Sequence, residues 1–580
     1  MRFPSISALT RRAGEVLRRF PLTLLLGAVA AACAAAAVDG SGDDLPWRIA
    51  LVAVLGLPLS IGLALLSRYR TWSSGRQFVW QLAGLIVLAL FFWSWPGPEQ
   101  KPDMIRYLQL AAILHLAVSV LPFIRGQETT AYWQYNRRLF ESFLRAAVFA
   151  AVLFVGLAVA LGALDKLFGV PVPDRTYLRL WLVMAFLVHP WIFLAGAPDE
   201  AQELAFNTYP RALKLFTQYV LTPLVAIYLI ILVLYLGKII VTGQWPDGWI
   251  GYLVTSVAIA GMLGFLLVHP LRALPDESWI RLYARGLFVG LIPAAIMLLL
   301  ALWKRVEPYG LTPLRLLGLV LGIWLLGIAV LYTLSRNTSI RTIPLSLAAV
   351  LAACFAGPLG IRNLSVDSQR DRLAQLLSQK TPSELRSREA SAALGFLLEY
   401  NAAGEVRHIF GDSALRGVEL AKASWSSRDS TARRLLAMRG VSFSPEGFRP
   451  SRAFEPATRE GGGALAVAGY EWMLPVTAGH DTATVHMGGE LLHLRTDSTR
   501  RRLTVERAGS VPVVFAIDSM FRASRAAADA AGRAAALTAV QLDGKVRFLL
   551  ALDHIYGFVD SDSLRINGWG GQLFLGTSPP

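Results

Sequence analysis

Charge and cysteine are what this chain has least of. Only 17% of its 580 residues are charged, against 54% apolar. The two cysteines, Cys33 and Cys354, both sit in apolar runs with no zinc-ligand neighbours, which excludes a disulfide framework and a thiolate metal site. There is no phosphate-cradling glycine loop, no Gly-x-Ser-x-Gly elbow and no kinase signature. No Asp or Glu lies near the middle of any long apolar run; the polar residues there are His115, Gln81, Gln109, Gln218 and a few Ser and Thr. Ion-coupled carriers usually keep a carboxylate at mid-membrane to bind the proton or Na⁺, so its absence argues against that class. A lipid-handling protein needs a groove more than a proton relay and is not excluded.

What is present is hydrocarbon. A mean hydropathy of +0.48 is more than a soluble globule can hide from water. A bilayer core needs about 20 apolar residues per helical span. Such runs occur at 20–38, 47–67, 77–96, 104–124, 143–163, 177–197, 215–240, 249–270, 283–303, 313–333 and 342–358. The expected fold is therefore a polytopic α-helical membrane protein of about eleven transmembrane helices, followed by a soluble α+β domain. The first run has arginines before it and alanines after it, as a cleaved signal peptide would, but reads as an uncleaved anchor.

Of the net charge of +16, residues 1–358 carry +12, with 29 Lys and Arg against 17 Asp and Glu. Among apolar runs this excess reads as topology and contact with anionic headgroups, not as nucleic-acid binding. Arg11/Arg12/Arg18/Arg19, Arg68/Arg70/Arg76, Arg125/Arg137/Arg138, Arg211/Lys214, Arg272/Arg281/Arg285 and Arg336/Arg341 fall on one side. Asp39/Asp43/Asp44, Glu99/Asp103 and Asp165/Asp174 fall on the other. The positive-inside rule places the N-terminus in the cytoplasm of a bacterial inner membrane, and eleven crossings place the C-terminal domain in the periplasm. One loop disobeys: Lys304, Arg305 and Arg315 land outside, so either the count slips there or these cations have a task.

A parallel repeat is expected in the middle, with hairpins at about 143–197 and 215–270. Leu164-Asp165-Lys166 is answered by Leu236-Gly237-Lys238, Pro173-Asp174 by Pro246-Asp247, Leu187-Val188-His189-Pro190 by Leu267-Val268-His269-Pro270, and Pro198-Asp199-Glu200 by Pro275-Asp276-Glu277. Three regions follow: a four-helix membrane segment at 1–124, a core membrane domain at 125–358, and the soluble domain at 359–580. In the last, helices are expected at 367–379, 383–401, 430–438 and 516–535. Strands are expected at 469–476, 483–487, 490–495, 502–506, 545–552 and 573–575, with a hairpin turn at Gly488-Gly489.

Several motifs stand in order: Trp133-Gln134-Tyr135-Asn136-Arg137-Arg138-Leu139-Phe140, Leu167-Phe168-Gly169, Gly243-Gln244-Trp245-Pro246-Asp247-Gly248-Trp249, Tyr309-Gly310-Leu311-Thr312-Pro313-Leu314-Arg315 and Ser368-Gln369-Arg370-Asp371-Arg372-Leu373. Together they resemble the bacterial integral-membrane family known as domain of unknown function 4153. The likeness is good over roughly 125–375 and loose elsewhere. It implies an inner-membrane location and no established activity, and it supplies no catalytic residues.

Candidate sites come from the residues alone. Lys166, Arg175, Arg179, Lys238, Lys304, Arg305 and Arg315 end several spans on the outer side. They form either a basic rim for phosphate-bearing lipids or a set of independently snorkelling side chains. Tyr309 stands inside the bracket made by Lys304/Arg305 and Arg315. His189 and His269, each before a proline, are candidates for pH or anion sensing, against a plainer role at the interface. Asp43 and Asp44 form an acidic pair in the first outer loop, as in glycosyltransferases using lipid-linked donors, although this loop is short for that family. In the soluble domain His480, His486 and His493 cluster, and a hairpin would put His486 and His493 on one face, as a weak metal pair. No cofactor is implied. The expected function is a non-enzymatic transport, sensing or assembly component of the cell envelope, binding an amphipathic or anionic membrane-derived ligand. A lipid-linked-sugar transferase and a scaffold for an envelope protein partner are the alternatives.

Overall fold

Long apolar runs leave the backbone no water to bond, so they close their hydrogen bonds within helices. In the computed structural model this holds for the apolar runs among the described residues up to 353. The structure describes residues 6–577 apart from 39–44, 96, 98–100, 125–128, 199–208, 244, 246–248, 274–276, 336–337, 380–382, 417–424, 445–451, 454–471, 478–481, 488–489, 498–500, 508–509, 523–537, 544–545 and 560–563. Among the described residues nine helices are long and apolar enough to cross a bilayer, from Leu45–Tyr69 to Pro313–Leu334. The first and last of the eleven expected runs form shorter helices, Pro21–Ala37 and Thr342–Ala353. At 1.5 Å per residue, the 12 residues of the latter reach only about 18 Å.

The short last helix nevertheless runs antiparallel beside Lys101–Val120. The Arg341 guanidinium donates to Phe123 O (3.1 Å), Gln109 Nε2 donates to Leu351 O (2.7 Å), and Arg106 lies 5.4 Å over the Phe355 ring. Polar caps of this kind recur at helix ends. Arg48 donates to Phe92 O and Trp95 O, Trp133 Nε1 to Leu266 O, and the Tyr209 hydroxyl to Leu267 O. These donors serve carbonyls at or just beyond helix ends, where helical partners run out.

The two His-Pro pairs do not behave alike. Pro190 has no N–H for Phe186 O, and the ladder widens into a π turn over Met184–Val188 before continuing as His189–Ala195. Thr222-Pro223 is preceded in the same way by a π turn at Thr217–Leu221. At His269-Pro270 the helix instead tightens into a 3₁₀ segment, His269–Ala273. Phe186 O is met across the interface by Gly27, where a Cβ would lie 2.5 Å from that oxygen. A glycine there lets the two backbones touch, as small residues do between membrane helices.

By packing, the chain divides into two units: residues 1–372 with 397–411, and residues 373–396 with 412–580. The helix Ile361–Ser378 thus contributes its first turns to the membrane unit, as does the helix Ala403–Phe410. In the second unit the Arg386 guanidinium caps Leu376 O and Leu377 O, and Ser391 Oγ accepts from Ser444 N. Its strands form two antiparallel sheets. One comprises Thr482–Met487, Glu490–Thr496, Arg502–Arg507 and Val513–Ala516 in sequence order. The other centres on the pair Val546–Val559 and Leu564–Thr577, joined by Trp472–Thr477, Thr538–Asp543 and Arg452–Ala453.

Alternate residues of both sheets, Leu492 and Leu494, Leu503 and Val505, Phe548 and Leu550, Leu573 and Leu575, share one core with Trp569. The expected strands are present. The last two run far longer than 545–552 and 573–575, because bulges at Leu552/His554 and Tyr556/Gly557 carry the pairing past the breaks in alternation. Of the helix expected at 516–535, residues 517–522 are helical and the remainder from 523 lies outside the described residues.

Candidate functional site

The helix Ser278–Tyr309 stops at Gly310, whose φ of +69° favours glycine and whose N–H returns to Val306 O (2.8 Å). Thr312 is extended and Pro313 opens the next helix, so the turn Tyr309–Thr312 leaves three carbonyls without helical partners. Side chains from both sides fill them. Arg315 Nη1 donates to Gly310 O (3.0 Å) and, more weakly, to Tyr309 O (3.4 Å). Gln369 Nε2 donates to Tyr309 O and Leu311 O, each at 3.0 Å, and Arg372 Nη1 donates to Tyr309 O (3.1 Å). Ser368 Oγ accepts from Leu311 N (3.0 Å). Two motifs about 60 residues apart are therefore one structural unit.

Around that turn the guanidinium groups converge. Arg315 and Arg372 lie 5.5 and 5.9 Å from the centre of the Tyr309 ring, which is 53% exposed. Arg305 and Arg372 both stand close enough to Arg315 for their charges to act on it. On the opposite side of the same helix, Arg370 is engaged by Asp367, Asp371 and Glu405 at 2.9–3.1 Å, with Asp371 contributing most to a raised guanidinium pKa. Arg362 Nη2 donates to Tyr400 O (2.6 Å), and burial raises the Tyr400 phenol. The arrangement is an exposed aromatic ring flanked by cations at the end of a span, suited to hold an anionic head beside an apolar body.

The other residues singled out by sequence do not gather here. Lys304 sits 5.1 Å over the Trp245 ring, which puts the disobedient loop at the same end as Trp245. Lys166 pairs with its neighbour Asp165 (3.1 Å) and is largely exposed, and Lys238 is exposed. Among the described residues no bond or ring contact joins Lys166 or Lys238 to Arg305 or Arg315. His189 stacks edge-on against Phe143 (5.0 Å) and His269 against Phe265 (5.5 Å), in separate places. Asp43, Asp44 and His480 lie outside the described residues.

In the hairpin, Thr484 pairs with His493 and His486 with Leu491, which puts His486 and His493 on one face as diagonal neighbours. His493 Nδ1 is hydrogen-bonded to Thr484 Oγ1 (3.0 Å), and no group of three or more metal-ligating side chains occurs among the described residues. Sequence reasoning missed Ser368, Gln369 and Arg372 as parts of the Tyr309 unit. The only signal for them was the motif Ser368–Leu373 that carried the family resemblance.

Comparison with known proteins bears on the same region. No solved structure matches the chain. It is 22% identical over 324 residues to the uncharacterized protein PM1469 of Pasteurella multocida (strain Pm70), a stretch covering 54% of this chain and 52% of that one. The chain thus spans about half the length of that relative. Residues 24–382 match the family described as Domain of unknown function (DUF4153), a match that takes in every span and both halves of the Tyr309 unit: the chain belongs to that family.

Proposed function

We propose that this protein is a non-enzymatic component of the bacterial inner-membrane envelope. In this reading it serves transport, sensing or assembly by binding the head of an anionic, membrane-derived amphipathic ligand at Arg305, Arg315 and Arg372. The observation that carries this reading is the placing of Arg315 and Arg372 against the exposed Tyr309 ring, on a turn held by Ser368 and Gln369, with Arg305 close enough for its charge to act on Arg315. Arg315 spends only Nη1 on the turn among the described residues, and a guanidinium has five donors in a fork that matches phosphate.

An outer, periplasmic location for the site is supported by the alternation of loop charge. It is also supported by the antiparallel run of Thr342–Ala353 beside Lys101–Val120, which carries the chain from the Phe123 end to the Phe355 end. The test is lipid co-purification. Arg305→Gln with Arg372→Gln should reduce the anionic lipid retained by the detergent-purified protein, with expression unchanged. Unchanged lipid content would reduce these residues to snorkelling cations.

A further inference from the structure

A second basic site lies at the opposite end of the membrane unit, where sequence showed only topology-setting charge. Arg19, Arg137, Arg138 and Arg145 line a cavity of about 360 Å³ with Glu141 and the backbone turn at 195–198. The volume falls in the lower part of the range for small-ligand sites, but the lining is guanidinium rather than apolar. We propose that this cavity binds the phosphate head of an anionic membrane lipid.

Three observations carry the proposal. First, the lining groups are held in place. Arg137 Nε donates to Gln134 Oε1 (2.9 Å) and its Nη1 to Glu141 Oε1 (3.0 Å), so the carboxylate in the lining is already engaged. Arg145 Nη2 donates to Ser142 Oγ (3.1 Å), which itself donates to Gly196 O (2.7 Å). A Cβ on Gly196 would lie 2.4 Å from Ser142 Oγ and 3.2 Å from Arg145 Nη2, so only glycine lets this wall approach the arginine.

Second, the depth suits a headgroup. The helix Thr129–Phe168 has 40 residues, about 60 Å, twice the hydrocarbon thickness. The apolar stretch that follows Arg145 runs to the far end and fills the bilayer core, which leaves the four arginines at or just beyond its edge.

Third, the same face continues as a surface for acyl chains. Val148, Phe149 and Val152 follow Arg145 at helical spacings of three, four and seven residues, and are 61%, 56% and 64% exposed. A soluble phosphate compound would have no use for that stripe; a phospholipid would lay its tails along it.

The full-length protein in detergent, titrated with short-chain phosphatidylglycerol and separately with inorganic phosphate, tests this by native mass spectrometry. Arg138→Gln with Arg145→Gln should weaken phosphatidylglycerol binding about tenfold, and Arg305→Gln with Arg372→Gln should leave this binding in place, so that the two sites fail separately. Arg145→Lys keeps the charge but loses the fork, and should still weaken binding severalfold. This variant carries the test if the double one does not fold. Lipid binding untouched by Arg145→Lys and by the double variant would overturn the site. Inorganic phosphate displacing the lipid at matching concentration would overturn the lipid as its ligand in favour of a soluble anion.

Discussion

Gln369 bridges the turn that ends the helix Ser278–Tyr309: its single Nε2 donates to the carbonyls of both Tyr309 and Leu311, each at 3.0 Å. A Cβ on Gly310 would lie 2.7 Å from that nitrogen, and Gly310 sits at φ +69°. Gly310→Ala is therefore expected to lower stability by about 1–3 kcal/mol, from backbone strain and collision together. Gln369→Ala should cost about 1–3 kcal/mol by leaving two carbonyls short of a donor. Because the collision needs Gln369, Gly310→Ala should cost less in the Gln369→Ala background. Thermal unfolding of the four detergent-purified proteins measures this, and strict additivity would show that the two residues do not meet.

Lys214 and Glu277 form an ion pair, with Trp279 Nε1 donating to the other carboxylate oxygen at 2.8 Å. The hydrogen bond from Lys214 is the main cause that holds Glu277 below its ordinary value of 4.5. A carboxyl depressed in the folded state stabilises above its unfolded pKa and loses that contribution as pH falls through the folded value. Unfolding temperature should thus drop on acidification below pH 4.5 in the native protein, and drop less steeply in Glu277→Gln. Parallel pH profiles would mean the pair does not persist in solution.

The side of the membrane that holds the second unit can be read with a thiol. Cys33 and Cys354 are half-buried, and Ser430 is exposed on the helix Trp425–Ala437. In a background with both native cysteines replaced, Ser430→Cys is expected to react with an impermeant reagent in intact cells whose outer membrane has been permeabilised. Reaction only after lysis would mean an even number of crossings and would remove the outer site along with the periplasmic domain.

Gly27 faces Phe186 O at a separation that no side chain tolerates. Gly27→Val should push the helix Pro21–Ala37 away from the π turn and lower stability by about 1–3 kcal/mol. Gly14→Val, at a glycine whose added Cβ would meet nothing within 4 Å, is the matched control. Equal unfolding temperatures for the two would dismiss the close approach.

The membrane half was legible because hydropathy is read one residue at a time, and a run such as 215–240 leaves a helix as the main option. Legibility failed where partners are distant in sequence. Nothing in Tyr309–Arg315 says that Gln369 will close over it, or that Arg145 will meet a turn at Gly196. The anomaly of Lys304 and Arg315 was visible as a breach of the charge rule. Its cause was not, since Lys304 answers to Trp245 and Arg315 to carbonyls in its own turn. In the soluble unit the strands Val513–Ala516 and Thr538–Asp543 went unread because four to six residues carry too little alternation to stand out, and pairing alone defines them.

The π turn at Met184–Val188 holds one surplus residue in a helix that ends at the Gly196 wall of the cavity lined by Arg137 and Arg145. Should that turn relax to α geometry, everything beyond it would advance by one residue, about 1.5 Å along the axis and about 100° around it. The helix is in this sense a vernier. A small change of register within the span, at the point met by Gly27, would change how far the Gly196 turn stands from Arg145, and with it the width of the cavity's mouth.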